Sequence, residues 1–280
     1  MTQNMYWTAI CVAPTNASRI GPSASSFRTI TPVYAEKASK ILVALAVICL
    51  ASGAALSDEL RILVYGATGK VGTHVLDEAL ARGHSVTAVS RDPSSIQKRH
   101  PKLIAAKGDL LDSDSIASLV AGQDVVVISV RGILGKSKKP ENALQRLAVE
   151  KMVGVLRNLG DAAPRLIHVG GSGTLEVKPG VIWADKIPKL FVPKSLEAEI
   201  QGQVLALEYL RTVTDVKWTY ATPAKNFTNK ERTGIFRIGG DALLEDKRGR
   251  SRISRADFAV ALINEAENAA HVRERFSVAY

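Results

Sequence analysis

A glycine-rich turn constrains this chain more than any other feature of its sequence. Residues 61–76 read RILVYGATGKVGTHVL, where Gly66, Gly69 and Gly72 separate a short apolar run from a stretch of helical period. Glycine adopts backbone angles that other residues avoid, and its missing Cβ lets main chain approach another group closely. A strand, a turn and a helix N-terminus in this order present amides that attract a pyrophosphate. The turn therefore predicts dinucleotide binding, the alternative being a merely structural turn.

The pattern after the turn predicts alternating strands and helices. Short apolar runs predict strands at 61–65, 85–89, 102–106, 124–130, 165–170 and 217–222. Apolar residues at i, i+3, i+4 and i+7 predict helices within 72–83, 113–122, 142–160 and 195–213. This alternation predicts an α/β fold, a Rossmann-type doubly wound parallel sheet that binds ligands where the strand order reverses. We expect one domain over 58–280, with a small lobe after about residue 223.

The end of the second predicted strand indicates which dinucleotide is bound. A carboxylate there bonds the ribose 2′-hydroxyl of NAD, whereas a cation accommodates the 2′-phosphate of NADP. The residues at this point are Ser90 and Arg91, and Lys70 in the glycine turn adds a second cation. An arginine can pair with phosphate bidentately, so we expect NADP. The alternative is that Arg91 is a solvated loop residue and that Asp92 reaches the ribose.

The third predicted strand is followed by a second candidate contact for the cofactor. Asp109 and Leu110 lie in the sequence KGDLLDSDSI, where an adenine ring should be bound. Asp109 can accept a hydrogen bond from the adenine amino group, while Leu110 offers an amide and an apolar wall. The alternative is a turn that only begins the next helix.

The first part of the chain, residues 1–57, differs from the rest and predicts a leader. Lysines precede an apolar run at 41–50, and small residues follow it up to 55–57, which is the order of a secretory signal peptide. An uncleaved membrane tether through 41–57, a start site assigned too far upstream and an organellar transit peptide remain alternatives. Export or anchoring is expected if the leader is real, and a cytoplasmic protein if the start is misassigned.

Charge and cysteine content exclude several classes of function. The formal net charge is +10, and the densest basic run, 247–252 (KRGRSR), has no interleaved aromatic residues. We expect a solvated loop there and no nucleic-acid partner. Cys11 and Cys49 both precede the glycine turn, so the body of the chain can form neither an internal disulfide nor a thiolate metal cluster. No metal site is expected.

Several motifs in order resemble a known family. They are GATGKVG, the Arg91 position, GDLLD at 108–112 and VGGSG at 169–173. With these, the chain resembles the atypical short-chain dehydrogenase/reductases, and within them the NAD(P)H-binding group that includes NmrA-like proteins and the biliverdin reductase B/flavin reductase type. The resemblance extends from about residue 60 to the end, including TPAKNF, RTGIFRIGG and SRISRADFAVAL.

The resemblance implies where the cofactor and its reacting ring are bound. Val130 to Gly132 would pass near the nicotinamide ribose, Ser172 would stand beside the nicotinamide as the catalytic serine, and the stretch around Pro223 would close the pocket. The expected cofactor-binding residues are Gly66, Thr68, Gly69, Lys70, Val71, Gly72, Ser90, Arg91, Asp109, Leu110, Val130, Arg131 and Gly132.

One departure from the superfamily pattern changes the expected chemistry. The usual Tyr-x-x-x-Lys pair, in which lysine lowers the tyrosine pKa for proton transfer, has no counterpart here. Tyr209 is followed four residues later by Val213, and Lys194 lies at the predicted helix start. Alcohol–ketone chemistry is therefore poorly supported, and epimerase or dehydratase chemistry, which also relies on the tyrosine, is disfavoured.

Two functions fit the sequence. The first is an NADPH-dependent oxidoreductase that passes hydride to a planar conjugated acceptor such as a flavin, quinone or tetrapyrrole, a small-molecule partner that takes its proton from solvent. Trp183, Phe191 and Phe227 are candidates to line the acceptor side, although packing roles explain them as well. The second is a non-catalytic NADP-binding sensor of the NmrA-like type.

Overall fold

The computed structural model describes residues 58–188, 190 and 192–280, and the predictions for the leader lie outside this part of the chain. The described strands are β1 (Arg61–Tyr65), β2 (Ser85–Ser90), β3 (Leu103–Lys107), β4 (Val125–Ile128), β5 (Arg165–Val169), β6 (Glu176–Lys178), β7 (Val181–Ile182), β8 (Trp218–Pro223), β9 (Asn226–Thr228), β10 (Arg237–Gly239), β11 (Arg252–Ser254) and β12 (Glu274–Ala279). All six predicted strands are confirmed, as β1 to β5 and β8.

Eight of these strands form the main sheet, in the order β10-β12-β8-β5-β4-β1-β2-β3. Its strands pair in parallel except for β10, which runs antiparallel to β12. The strand order reverses between β1 and β4, because the chain first adds β2 and β3 on one side and later β4, β5 and β8 on the other. The structure thus confirms the predicted Rossmann-type doubly wound sheet, and the carboxyl ends of β1 and β4 form its switch point.

Helices cover both faces of the sheet. They are α1 (Gly72–Ala81), α2 (Ser113–Val120), α3 (Leu144–Leu159), α4 (Lys194–Thr212) and α5 (Arg255–Asn268). One core cluster joins α1 and α5 to alternate strand residues such as Ile62 and Val64, and a second joins α2, α3 and α4 to residues such as Leu63 and Tyr65. This division follows from the side-chain alternation of a strand, with both faces buried.

The segment after residue 223, where the sequence predicts a small lobe, is divided between a separate small sheet and the main sheet. β9 and β11 make a separate two-stranded parallel sheet, but β10 and β12 extend the main sheet, and α5 packs against α1. Strand β12 was missed because charged and hydroxyl residues, Arg275 and Ser277, alternate with Phe276 and Val278 and interrupt the apolar run. Most of this segment therefore completes the core.

The carboxylate of Asp257 links several parts of this last segment through hydrogen bonds. Its buried carboxylate accepts hydrogen bonds from the hydroxyl groups of Ser254 and Tyr280 and from the backbone amides of Thr233 and Gly234. Burial alone raises the pKa of Asp257, but these donors outweigh it and hold the pKa below its usual value. One carboxylate thus joins the start of α5, a loop and the end of β12.

Two further findings concern the helices and the basic run of the described chain. Within the described part of the chain, no helix has both the length and the apolar content needed to cross a membrane. The basic run 247–252 lies in and just after an exposed turn, where Asp246 accepts from the amides of Arg248 and Arg250 and pairs with the Arg250 guanidinium. These hydrogen bonds lower the pKa of Asp246 to about 2.

Candidate cofactor-binding site

The glycine turn lies at the switch point and has no room for side chains. Gly66 has φ +78°, and a Cβ built there would stand 2.1 Å from the carbonyl oxygen of Ser129, which follows β4. A Cβ on Gly72 would stand 2.1 Å from the carbonyl oxygen of Gly66. The two glycines therefore let the end of β1, the end of β4 and the start of α1 approach one another, as the first and third glycines of a dinucleotide turn must.

The start of α1 leaves its amides available. Val71 occupies the N-cap position, where no side chain caps the helix, and the first turn contains no acidic residue. Gly69 donates its amide to Gly66 O at 2.9 Å, which closes the turn, and its own carbonyl accepts from Thr73. Thr68 and Lys70 are exposed beside it. Such an uncapped N-terminus has both the donors and the dipole for a pyrophosphate.

The end of β2 is followed by a cation, Arg91, and then by the carboxylate of Asp92. Arg91 is exposed and forms no hydrogen bond or ion pair with another described residue. Asp92 caps the short turn 93–95 by accepting from the amide and hydroxyl of Ser94, and these bonds lower its pKa. The Ser90 hydroxyl accepts from the Asp92 amide at 3.2 Å. Both Ser94 contacts use Oδ1 of Asp92, so the geometry leaves Arg91 and Oδ2 of Asp92 available to a ligand.

The end of β3 matches the sequence expectation only in part. Asp109 is exposed, and its Oδ1 accepts from the Leu111 amide at 2.9 Å, so one carboxylate oxygen shapes the local turn while the other stays open. Leu110, in contrast, is buried in the second core cluster. The side chain of Leu110 packs in this core, and its contact with an adenine ring stays a prediction.

The end of β4 lies directly against the glycine turn. Val130 Cγ1 is 3.2 Å from the position that a Cβ of Gly66 would occupy. Gly132 has φ +132°, and its carbonyl accepts from the Leu144 amide at the start of α3. The side chain of Arg131 is exposed and pairs with Glu199 of α4 at 2.9 Å. Residues 130–132 therefore connect the switch point with α4, a link that the sequence did not reveal.

Ser172 begins a short turn after β5 that is held from two sides. Its half-buried hydroxyl makes no hydrogen bond within the described part of the chain, so it is free for a ligand. Two residues on, Thr174 donates through its amide and hydroxyl to Gly171 O, and the buried guanidinium of Arg275 donates to the Thr174 carbonyl at 3.0 Å. The turn that carries Ser172 is thus rigidly positioned.

A buried polar network lies under this turn. The Gln203 side-chain oxygen of α4 accepts from Tyr220 OH at 3.0 Å and lies 3.2 Å from His168 Nε2. Since an amide oxygen only accepts, Nε2 carries the proton and Nδ1 is left as a buried acceptor without a partner among the described residues. Burial lowers the pKa of His168 to about 4, so this imidazole is neutral at physiological pH.

The tyrosine and lysine of α4 and the aromatic candidates for the acceptor side lie in different surroundings. Tyr209 packs against the second core cluster, 15 residues into α4, which places it about 20 Å along the helix from Lys194. Phe227 packs edge-on against Phe258 in the first cluster. Trp183 carries Lys225 over its ring at 4.3 Å and belongs to a turn that contacts residues 172–174. Phe191 lies outside the described residues.

The arrangement fits a dinucleotide. Among the residues that the structure describes, no group of three or more His, Cys, Asp or Glu side chains is placed to hold a metal ion. The glycine cradle, the uncapped helix start and the cation after β2 all lie at the carboxyl edge of one sheet. Fold and site together define a Rossmann-type dinucleotide-binding protein.

Comparison with known proteins agrees with this class. The family model described as NAD(P)H-binding matches residues 66–269. The chain belongs to this NAD(P)H-binding family, within the atypical short-chain dehydrogenase/reductases, a class of nicotinamide-dependent oxidoreductases.

Three relatives illustrate the match. The uncharacterized protein YwnB of Bacillus subtilis is 32% identical over 225 residues, covering 78% of this chain and 98% of YwnB. A structure from Burkholderia pseudomallei, provisionally named an exported protein, is 36% identical with TM-score 0.67, covering 79% of this chain and 100% of its own. A structure from Streptococcus pneumoniae, provisionally named an NADH-flavin reductase, is 27% identical with TM-score 0.64, covering 79% and 99%.

Proposed function

We propose that the protein oxidises NADPH and passes its hydride to a planar conjugated acceptor such as a flavin or quinone. The observation that carries this proposal is a close-packed glycine turn at the switch point in a chain whose α4 has no Tyr-x-x-x-Lys pair, since Tyr209 is followed four residues later by Val213. A carbonyl substrate needs a proton as hydride arrives, whereas flavins and quinones take theirs from solvent. Similarity to the structure named as a flavin reductase supports the same choice.

The choice of NADPH over NADH rests on Arg91. Its guanidinium is unpaired among the described residues, and the neighbouring carboxylate of Asp92 accepts from Ser94 through Oδ1 while its Oδ2 stays open. Lys70 lies exposed in the glycine turn and adds positive charge. An arginine at the end of the second strand accommodates a 2′-phosphate and offers nothing comparable to a bare 2′-hydroxyl.

The role of the chain's own residues is then binding and orientation. The amides at the start of α1 hold the pyrophosphate, and Ser172 offers a free hydroxyl to the nicotinamide amide or to the acceptor. When bound, NADPH supplies the hydride, and the acceptor gains two electrons and a solvent proton. Holding the two rings in a reactive orientation contributes several kcal/mol to lowering the barrier.

An absorbance assay tests this proposal. The full chain is mixed with NADPH and FMN or a quinone, and the nicotinamide band is followed; oxidation that requires all three components is expected. Ser172→Ala should reduce turnover about tenfold or more if its hydroxyl orients a reacting ring. Unchanged turnover in Ser172→Ala would remove the catalytic assignment of this serine.

Cofactor preference is tested separately. Arg91→Asp should lower NADPH affinity by about tenfold to a hundredfold, because it replaces a charge-assisted contact with repulsion, and should shift preference toward NADH. Asp92→Asn is the matched control at the neighbouring position. Equal NADPH affinities in the wild type and in Arg91→Asp would contradict the phosphate role.

A second candidate function is a non-catalytic NADP-binding sensor. The same missing proton donor favours it, because a sensor needs a cofactor cradle without acid–base groups. Cofactor binding without oxidation across a broad panel of flavins and quinones would support this candidate over the first.

A further inference from the structure

The loop after β4 carries an unbalanced positive charge. Residues 131–139, RGILGKSKK, contain one arginine and three lysines and no acidic residue. Lys136, Lys138 and Lys139 are exposed and form no ion pair with another described residue. Arg131, in contrast, pairs with a carboxylate, that of Glu199. Such a concentration of one sign of charge attracts anions.

This basic loop has a defined shape. Leu134 donates its amide to Asn142 O at 2.8 Å, and Leu144 donates to Gly132 O at 2.9 Å, so the loop folds back on itself before α3 begins. Asn142 also donates through its side chain to Ser137 O at 3.3 Å. The three lysines therefore lie on a hairpin-like loop that begins at the carboxyl edge of the sheet.

Arg131 is held so that part of its guanidinium remains available. Glu199 Oε2 accepts from Arg131 Nε at 3.0 Å and Nη2 at 2.9 Å, while Nη1 has no partner within the described chain. The arginine side chain is 75% exposed and the glutamate only 18%. Glu199 thus orients the guanidinium through Nε and Nη2. The Nη1 edge of the guanidinium remains available to donate hydrogen bonds to an oxyanion.

The position of Arg131 relates it to the acceptor side. Its neighbour Val130 contacts the glycine turn, while its partner Glu199 lies one helical turn before Gln203 on α4. A Cβ added to Gly171, beside Ser172, would contact Gln203 at 3.4 Å. Arg131 therefore follows in sequence the residue next to the glycine turn, and its guanidinium is bound to the helix that packs on the Ser172 turn.

We propose that the acceptor carries an anionic group, a phosphate, carboxylate or sulfonate, and that Arg131 binds this group while Lys136, Lys138 and Lys139 strengthen the local positive potential. This inference rests on the proposed function, because it names the acceptor of that same site. It goes further in predicting that a neutral acceptor with the same ring is used less well.

Matched acceptors test the inference. FMN and riboflavin share one ring system and differ by a phosphate, and 1,4-naphthoquinone-2-sulfonate and 2-methyl-1,4-naphthoquinone form a second such pair. In the wild type, kcat/KM should favour the anionic member of each pair by about tenfold or more, and added salt should reduce this preference. The measured quantity is the anionic-to-neutral ratio, which cancels any effect of a variant on NADPH.

Three variants test which residues produce the anionic-to-neutral ratio. Arg131→Gln should lower the FMN-to-riboflavin ratio by about tenfold, the loss expected for a charge-assisted contact. The triple change Lys136→Gln, Lys138→Gln and Lys139→Gln should lower it less and flatten its salt dependence. Arg157→Gln is the control, because this exposed arginine pairs with Asp215 at 2.6 Å in the last turn of α3, and it should leave the ratio unchanged.

The outcomes separate this inference from the function itself. Equal kcat/KM within each wild-type pair, or a higher NADPH KM in Arg131→Gln with an unchanged ratio, would overturn the inference and leave the oxidoreductase proposal intact. If no acceptor is reduced, the proposed function fails. Flavin-fluorescence titrations of the protein with NADP⁺ then decide the inference alone: tighter binding of FMN than of riboflavin, lost in Arg131→Gln, supports it, and equal binding overturns it.

Discussion

Gly72→Ala isolates the close approach that the glycine turn requires. Gly72 is the first residue of α1, where alanine is otherwise the more favourable residue. A Cβ at this position, however, would stand 2.1 Å from Gly66 O and 2.9 Å from Ala67 Cα, against ordinary contacts of 3.4 Å or more. The start of α1 must therefore move by about 1 Å away from β1.

The magnitude follows from that displacement. Overpacking of a rigid contact costs about 1–3 kcal/mol, so the free energy of unfolding should fall by this amount. The moved amides are also those expected to bind pyrophosphate, and a charge-assisted hydrogen bond contributes about 1.5–3 kcal/mol. Loss of one such bond corresponds to a tenfold to hundredfold weaker affinity for NADPH.

Urea unfolding measures the first quantity and calorimetric titration with NADPH the second. Gly154→Ala is the matched control, because Gly154 lies within α3 and a Cβ there meets no atom within 4 Å. That change should raise stability by about 0.5–1 kcal/mol and leave NADPH affinity unchanged. Wild-type stability and affinity in Gly72→Ala would refute the argument from close approach.

Two pH-dependent predictions follow from buried titratable groups. Because the pKa of His168 falls from 6.5 to about 4 on folding, the unfolded state binds the extra proton between these values, so the unfolding free energy should drop by about 3 kcal/mol from pH 7 to pH 4. His168→Gln should flatten this slope in urea titrations, and an equally steep slope would contradict the assignment. The lowered pKa of Asp257 stabilises the fold above pH about 4, and this contribution is lost as pH falls further. Asp257→Asn should therefore be less stable than the wild type at pH 7 and approach it below pH 4, as unfolding curves at both pH values will show.

The sequence predicts the layers of this fold because strand and helix periods differ so clearly. Strands β1, β4, β5 and β8 are buried on both faces, and together with the more exposed β2 and β3 they are nearly continuous apolar runs, while α1 to α4 carry an apolar stripe. Strand β12 could not be found in this way, because Arg275 and Ser277 interrupt its run. Arg275 is nevertheless buried, since Asp241 and Thr174 satisfy its guanidinium.

The sequence predicted the candidate site only where it depends on local backbone structure, namely the glycine turn and the order of residues after each strand. The glycines at positions 66 and 72 predict the turn. The order of residues along the chain places Arg91 after β2 and Ser172 after β5. Contacts between elements distant in sequence left no local signal. The Arg131–Glu199 pair spans 68 residues, and Gln203 meets His168 and Tyr220 across the interface of α4 with the sheet.

Direct calorimetric titration of the purified chain with NADPH and NADH tests the central claim. The geometry of the glycine turn predicts saturable binding of one nicotinamide cofactor per chain, with NADPH bound more tightly than NADH and Gly72→Ala weakening both. A chain that is folded by circular dichroism yet gives no saturable heat with either cofactor would contradict this account of the site.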